Sequence, residues 1–167
     1  MRHTATIVLT TLAEAFAALF AAAGAYAEPV VPQPDSPCSS TFDNAMTRLP
    51  DQKTNLLCRQ QADGDYRWTV DISDYPSSDR WLSYGPSVTL RGQGTRNSNL
   101  RSGDWIAVPQ EPGSRCIEEQ TAVAGAGVVS SPEAEAGPVG QPLSFRVLPS
   151  LFSITMTGYC LWRNLNS

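Results

Sequence analysis

The stretch Ser153-Ile154-Thr155-Met156-Thr157-Gly158-Tyr159-Cys160-Leu161-Trp162 decides the fold class. Ile154, Met156, Cys160 and Trp162 fall on alternate positions with Gly158 between them, so they share one face of a strand. Earlier in the chain, Tyr66-Arg67-Trp68-Thr69-Val70-Asp71-Ile72 repeats the period of two and predicts a half-buried strand with Tyr66, Trp68, Val70 and Ile72 inward. Ser87–Arg91 brings Val88 and Leu90 to one face. Trp105–Val108 is a short apolar run bounded by Gly103-Asp104 and Pro109. Thr121–Ser130 reads as a glycine-weakened strand or a strand pair, and Leu143–Leu148 as another run. About five to seven short strands at turn-separated spacing predict a mainly β domain, an antiparallel sandwich or partial barrel.

The segments between these strands read differently. Phe42, Ala45, Met46 and Leu49 fall at helical spacing behind Thr41 as an N-cap, and Pro50 stops the pattern, which predicts a short N-terminal helix. Leu56-Leu57-Cys58 forms a second apolar patch. Glu28–Pro37 holds four prolines in ten residues and reads as an extended linker outside the core. Ser131–Pro142 has acids, glycine and proline without an apolar period, and reads as a loop. The Gly92-Gln93-Gly94 start lacks the third glycine of a nucleotide loop and lies between strand patterns, so it reads as a hairpin or long turn.

Arg2 and His3, the apolar run Ala5–Ala23 and the small-x-small triplet Ala25-Tyr26-Ala27 have the three parts of a secretory signal peptide. Glu14 interrupts the apolar run, so a retained N-terminal anchor and a later start, with Ala15–Ala23 as a short apolar core, stay open beside cleavage. Cleavage after Ala27 would remove 27 of the 167 residues and leave 140, enough for one domain over 38–167 behind the linker 28–37. Such a product would have no stable membrane span.

All four cysteines, Cys38, Cys58, Cys116 and Cys160, lie beyond the cut, in a context where thiols pair. Four cysteines allow three connectivities. Cys38–Cys58 with Cys116–Cys160 is the favoured one, tying the linker to the short helix and a loop to the last strand. The absence of any C-x₂-C pair argues against a zinc site.

His3 is the only histidine, so the region after the cut has no imidazole for Ser-His-Asp or Cys-His catalysis. No catalytic residue, metal ligand or cofactor is assigned. Lys53, the one lysine, lacks the S-x-x-K spacing of a catalytic base and reads as a surface residue. Asp71, Asp74, Asp79 and Asp104 could serve a carboxylate-based glycan or peptidoglycan hydrolase, although aspartates beside Ser, Pro and Gly are usually turn formers. The tryptophans Trp68, Trp81, Trp105 and Trp162, with Tyr66, Tyr84 and Tyr159, read as core before they read as a sugar platform. A formal net charge of −4 disfavours nucleic acid as a partner. Against that acidic background, Arg91, Arg96 and Arg101 recur every five residues around a glycine-rich turn. They are the sequence's candidate anion site.

The segments Asp79-Arg80-Trp81-Leu82-Ser83-Tyr84-Gly85-Pro86 and Gly158-Tyr159-Cys160-Leu161-Trp162-Arg163 resemble those of small exported proteins of mycobacteria and related actinobacteria. The resemblance extends loosely from Cys38 to Arg163. It implies export and residence in the cell envelope or outside the cell, and it carries over no catalytic residue. The expectation is therefore an exported, non-enzymatic binding or structural protein whose partner is an envelope component or another protein. The carboxylate hydrolase and a secreted interaction protein are the alternatives.

Overall fold

The computed structural model describes residues 30–167, and ten strands account for about half of them. In chain order they are β1 (Met46–Arg48), β2 (Asn55–Gln60), β3 (Tyr66–Asp71), β4 (Arg80–Arg91), β5 (Gly103–Pro109), β6 (Ile117–Gly125), β7 (Val128–Val129), β8 (Glu133–Ala136), β9 (Leu143–Val147) and β10 (Leu151–Asn164). The residues read as a signal peptide, with Glu28 and Pro29, lie outside the described residues. Among those described, no helix is long and apolar enough to cross a membrane.

The frame is the antiparallel pair of the two long strands, β4 and β10. From it the sheet runs β3-β2-β1-β4-β10-β5-β9, with β6 also on β10 and with β7 and β8 on β6. Every pairing is antiparallel except β1 with β4, which meet in parallel at Met46 and Trp81. The sheet is therefore mixed, where the sequence suggested an antiparallel one. It curls around one main core without its edge strands joining. Met46 of β1 and Phe145 of β9, near opposite ends of the strand order, belong to the same buried cluster as Trp81, Trp105 and Trp162.

β10 is forked. One edge pairs with β4 along its length, while the other takes β6 from Leu151 to Thr157 and β5 from Cys160 to Asn164. Gly158 stands at the fork with φ +99, and a Cβ there would collide with the Arg115 carbonyl. The bridge Cys116–Cys160 closes the same point, and Cys38–Cys58 joins the N-terminal segment to β2. The favoured pairing is the observed one, with Cα separations of 6.0 and 6.1 Å respectively.

Between Gly85 and Val88 the register slips: Pro86 and Ser87 of β4 stand against Thr157 of β10 alone. Such a two-against-one bulge bends a strand and changes which side chains face inward. Before it, Trp81 faces the main core and Leu82 a second cluster; after it, Val88 and Leu90 face the main core. The second cluster, on the opposite face, gathers Phe42, Ala45, Leu56, Cys58, Trp68, Leu82 and Leu161.

Four expectations are corrected. The helix over 41–49 is instead a single 3-10 turn, Ser40–Phe42, followed by β1. Backbone pairing with β2 prevails: Asn44 N donates to Cys58 O and Cys58 N to Ala45 O. Ala45 and Met46 then enter opposite clusters, as neighbours on a strand do. The residues 30–37 are strapped along the outer edge of β3, with Asp35 N on Trp68 O at 2.7 Å and Trp68 N on Ser36 O at 2.9 Å. Val31 packs on the main core, so this stretch is no free linker. Because β3 is an outermost strand, Val70 and Ile72 stay exposed and only its Tyr66 and Trp68 reach the second cluster. The 131–142 loop contains β8, whose four exposed side chains left no apolar period to read.

Candidate functional site

The outer face of the β4–β10 pair is polar. Thr89 and Arg91 alternate with buried Val88 and Leu90, and Ser153 and Thr155 alternate with buried Ile154 and Met156. Register places Ser153 opposite Arg91 and Thr155 opposite Thr89. The Thr89 and Thr155 hydroxyls meet across the pair at 3.2 Å, and on the β6 side of β10 the Thr121 and Ser153 hydroxyls meet at 2.8 Å.

At the Arg91 end this face opens into a groove of about 710 Å³, lined by Arg48, Gln52, Thr89, Arg91, Gly94, Thr95, Phe152 and Ser153. β1 delivers Arg48 there because β1 lies beside β4. Its Nε donates to Asn55 Oδ1 at 3.0 Å and its Nη1 to the Thr89 carbonyl at 2.6 Å. The guanidinium lies 5.9 Å from the centre of the Trp81 ring, and Tyr84 donates its hydroxyl proton to the Arg48 carbonyl at 2.7 Å. These contacts hold the planar guanidinium of Arg48 in one orientation. Asn99 fixes the other wall: its Oδ1 accepts from Arg91 N at 2.9 Å, and its Nδ2 donates to the Pro76 carbonyl at 2.8 Å.

The electrostatics of this groove are unbalanced. Burial lowers the Arg48 pKa first, the Arg91 guanidinium lowers it further, and Asp51 opposes both. Asp51 is itself engaged, accepting from the Thr54 hydroxyl first, then from Lys53 N and Thr54 N, bonds that hold its pKa at about 2. Among the described residues no carboxylate lies within ion-pair distance of Arg48 or Arg91. Two guanidinium groups therefore share one concavity with their charge unneutralised by a direct partner.

Of the three arginines singled out in the sequence, the structure brings only Arg91 to this groove. Arg96 is exposed on the turn, and Arg101 lies 3.9 Å from Asp79. Arg48 was missed because its stretch read as helix and its neighbourhood to Arg91 is created by the parallel β1–β4 contact. The turn itself is built as glycine allows. Gly92 N and Gly94 N donate to the carbonyls of Phe152 and Leu151, and a Cβ on Gly94 would come within 2.6 Å of Val123.

The remaining candidates disperse. Asp71 ends β3, Asp74 lies exposed beyond it, Asp79 faces Arg101, and Asp104 of β5 lies 3.8 Å from Arg146. Among the described residues no group of three or more His, Cys, Asp or Glu side chains is placed to hold a metal ion. Lys53 is exposed beside the Asp51 turn. The tryptophans are core: Trp81, Trp105 and Trp162 are wholly buried, with indole N–H groups on Ser78 O, Arg101 O and Ser83 Oγ. Compared with known proteins, the chain matches no family model, no curated protein and no solved structure.

Proposed function

We propose that this protein is an exported, non-enzymatic binding protein of the cell envelope or extracellular space, and that it holds an anionic group between Arg48 and Arg91. The carrying observation is the pair of guanidinium groups lining one groove without a carboxylate partner among the described residues. Holding like charges close together is unfavourable, and an oxyanion between them offsets that cost while accepting charge-assisted hydrogen bonds from both. The Ser153 hydroxyl and the Gln52 amide line the same groove as neutral donors. Two disulfides support an oxidising location, and the resemblance to small exported actinobacterial proteins supports the envelope.

The hydrolase alternative gains no support from the scattered aspartates, since glycoside hydrolysis needs two carboxyl groups across one cleft. The test is titration of the protein with methyl phosphate at low salt. Arg91→Gln is expected to weaken binding about tenfold or more, as loss of a charge-assisted pair does. Arg96→Gln/Arg101→Gln is expected to leave it within about twofold, as for exposed charges outside the groove. Equal binding by wild type and Arg91→Gln would remove the proposal.

A further inference from the structure

We infer that the ligand is a single-chain amphiphile, an acidic head group on one alkyl chain; this rests on the anion reading above and names the rest of the molecule. The arginine groove does not end at Phe152. Phe152 and Gly94 also line a second cavity of about 410 Å³, whose other walls are Val123, Gly125, Gly127, Val128 and Val129. One end of the combined trough is cationic and hydroxyl-rich, and the other is aliphatic.

The apolar end is open to solvent. Phe152 is 44% exposed, Val128 59% and Val129 46%. Phe152 stands where the register of β10 against β6 slips, between Leu151 and Ser153, and it faces outward while Leu151 is wholly buried. β7 pairs only with the end of β6, so its two valines form a shelf at the tip of that hairpin. Neither Gly125 nor Gly127 has a heavy atom within 4 Å of where a Cβ would stand, which leaves the shelf open. Scattered apolar residues on a surface are ordinary. Here they are contiguous with a paired cationic site, and that continuity selects the occupant.

A free small anion would use the arginines and leave Phe152 and the valines wet. An uncharged lipid would use the apolar shelf and leave the guanidinium pair unneutralised. A carboxylate or phosphate head on an alkyl chain satisfies both ends, the head by forked hydrogen bonds and the chain by area removed from water. A whole anionic bilayer fits less well, because the chain is net acidic and Glu119, Glu133 and Glu135 occupy the adjoining strands β6 and β8.

The experiment titrates the whole chain with alkyl phosphates from methyl to dodecyl, each kept below its micelle concentration, and with dodecanol. Affinity is expected to rise about fourfold per methylene until the shelf is covered. Arg91→Gln is expected to weaken every alkyl phosphate by a similar factor, about tenfold or more. Val128→Ser/Val129→Ser, at exposed positions, is expected to leave methyl phosphate unchanged and to flatten the dependence on chain length. If methyl phosphate binds through Arg91 but added methylenes gain nothing, the amphiphile inference falls and the anion reading stands. A chain-length gain unaffected by the double serine variant also overturns it, since the chain would then lie elsewhere. Dodecanol binding as tightly as dodecyl phosphate, with Arg91→Gln neutral, would sink both. Binding to phosphatidylglycerol vesicles without binding of the monomeric phosphates would replace the single molecule by a membrane surface.

Discussion

Glu118 is the charged residue that this fold removes furthest from water among those described. It is 2% exposed, sits on β6 opposite Met156, and its Oε2 has no hydrogen-bond partner. Burial pushes its pKa up from 4.5 to about 7; the Gln120 amide opposes this, while the carboxylates of Glu135 and Glu119 add to it. Glu135 lies directly across the β6–β8 ladder. The folded chain thus keeps a proton that the unfolded chain releases between pH 4.5 and 7. Its contribution to stability is full below pH 4.5, falls as the pH rises through 7, and is flat beyond. The loss is up to about 3 kcal/mol, one pKa unit corresponding to about 1.4 kcal/mol. Glu118→Gln is expected to raise stability at pH 8 by about 2 kcal/mol, most of that loss, and to change little at pH 4.5. Urea unfolding of both proteins across that range checks this; an undiminished slope in the variant would contradict it.

At the scale of the element, the fork in β10 concentrates constraint. Gly158 and Gly85 face each other across the β4–β10 pair, both at positive φ, yet their surroundings differ. A Cβ at Gly85 meets nothing within 4 Å, whereas one at Gly158 strikes the Arg115 carbonyl. Gly85→Ala is expected to cost about 1 kcal/mol from backbone strain alone, and Gly158→Ala about 3 kcal/mol or more. Chemical denaturation ranks them, and equal costs would show that the fork relaxes freely. The bridges follow the same logic. Cys116–Cys160 spans 44 residues and Cys38–Cys58 spans 20, giving about 4 and about 3 kcal/mol from loop closure. Only the former also pins the fork. Cys116→Ala/Cys160→Ala is therefore expected to lower the melting temperature more than Cys38→Ala/Cys58→Ala; the opposite order would place the main constraint at the N-terminal segment.

The legibility of these strands has a common cause. β10 keeps one parity from Ile154 to Trp162 on its core face, so alternation exposed it. β4 changes parity at its bulge and is buried on both faces from Trp81 to Tyr84, so only its last five residues read as a strand. β8 buries nothing and gave no signal.

For the whole molecule, what the sequence could not supply is long-range adjacency. Arg91 was recognised in its glycine turn, but Arg96 and Arg101, its neighbours in sequence, point elsewhere. Arg48 joins it from 43 positions earlier through one parallel contact that no local pattern announces. A chain with formal net charge −4 thereby acquires a focused cationic groove. If the protein is exported as proposed, intact mass of the material recovered outside the cell is expected to show a new N terminus at Glu28, and a product retaining Met1 would favour an anchor. If Arg48 and Arg91 hold one anion between them, NMR of the arginine side-chain Nε–H signals during a methyl phosphate titration follows both groups at once. The Arg48 and Arg91 signals are expected to shift together, with one dissociation constant, while Arg96 and Arg101 stay still and the shifts fade as salt rises. Shifts centred on Arg96 and Arg101, or none at Arg48 and Arg91 at low salt, would show that the anion is not held by this pair.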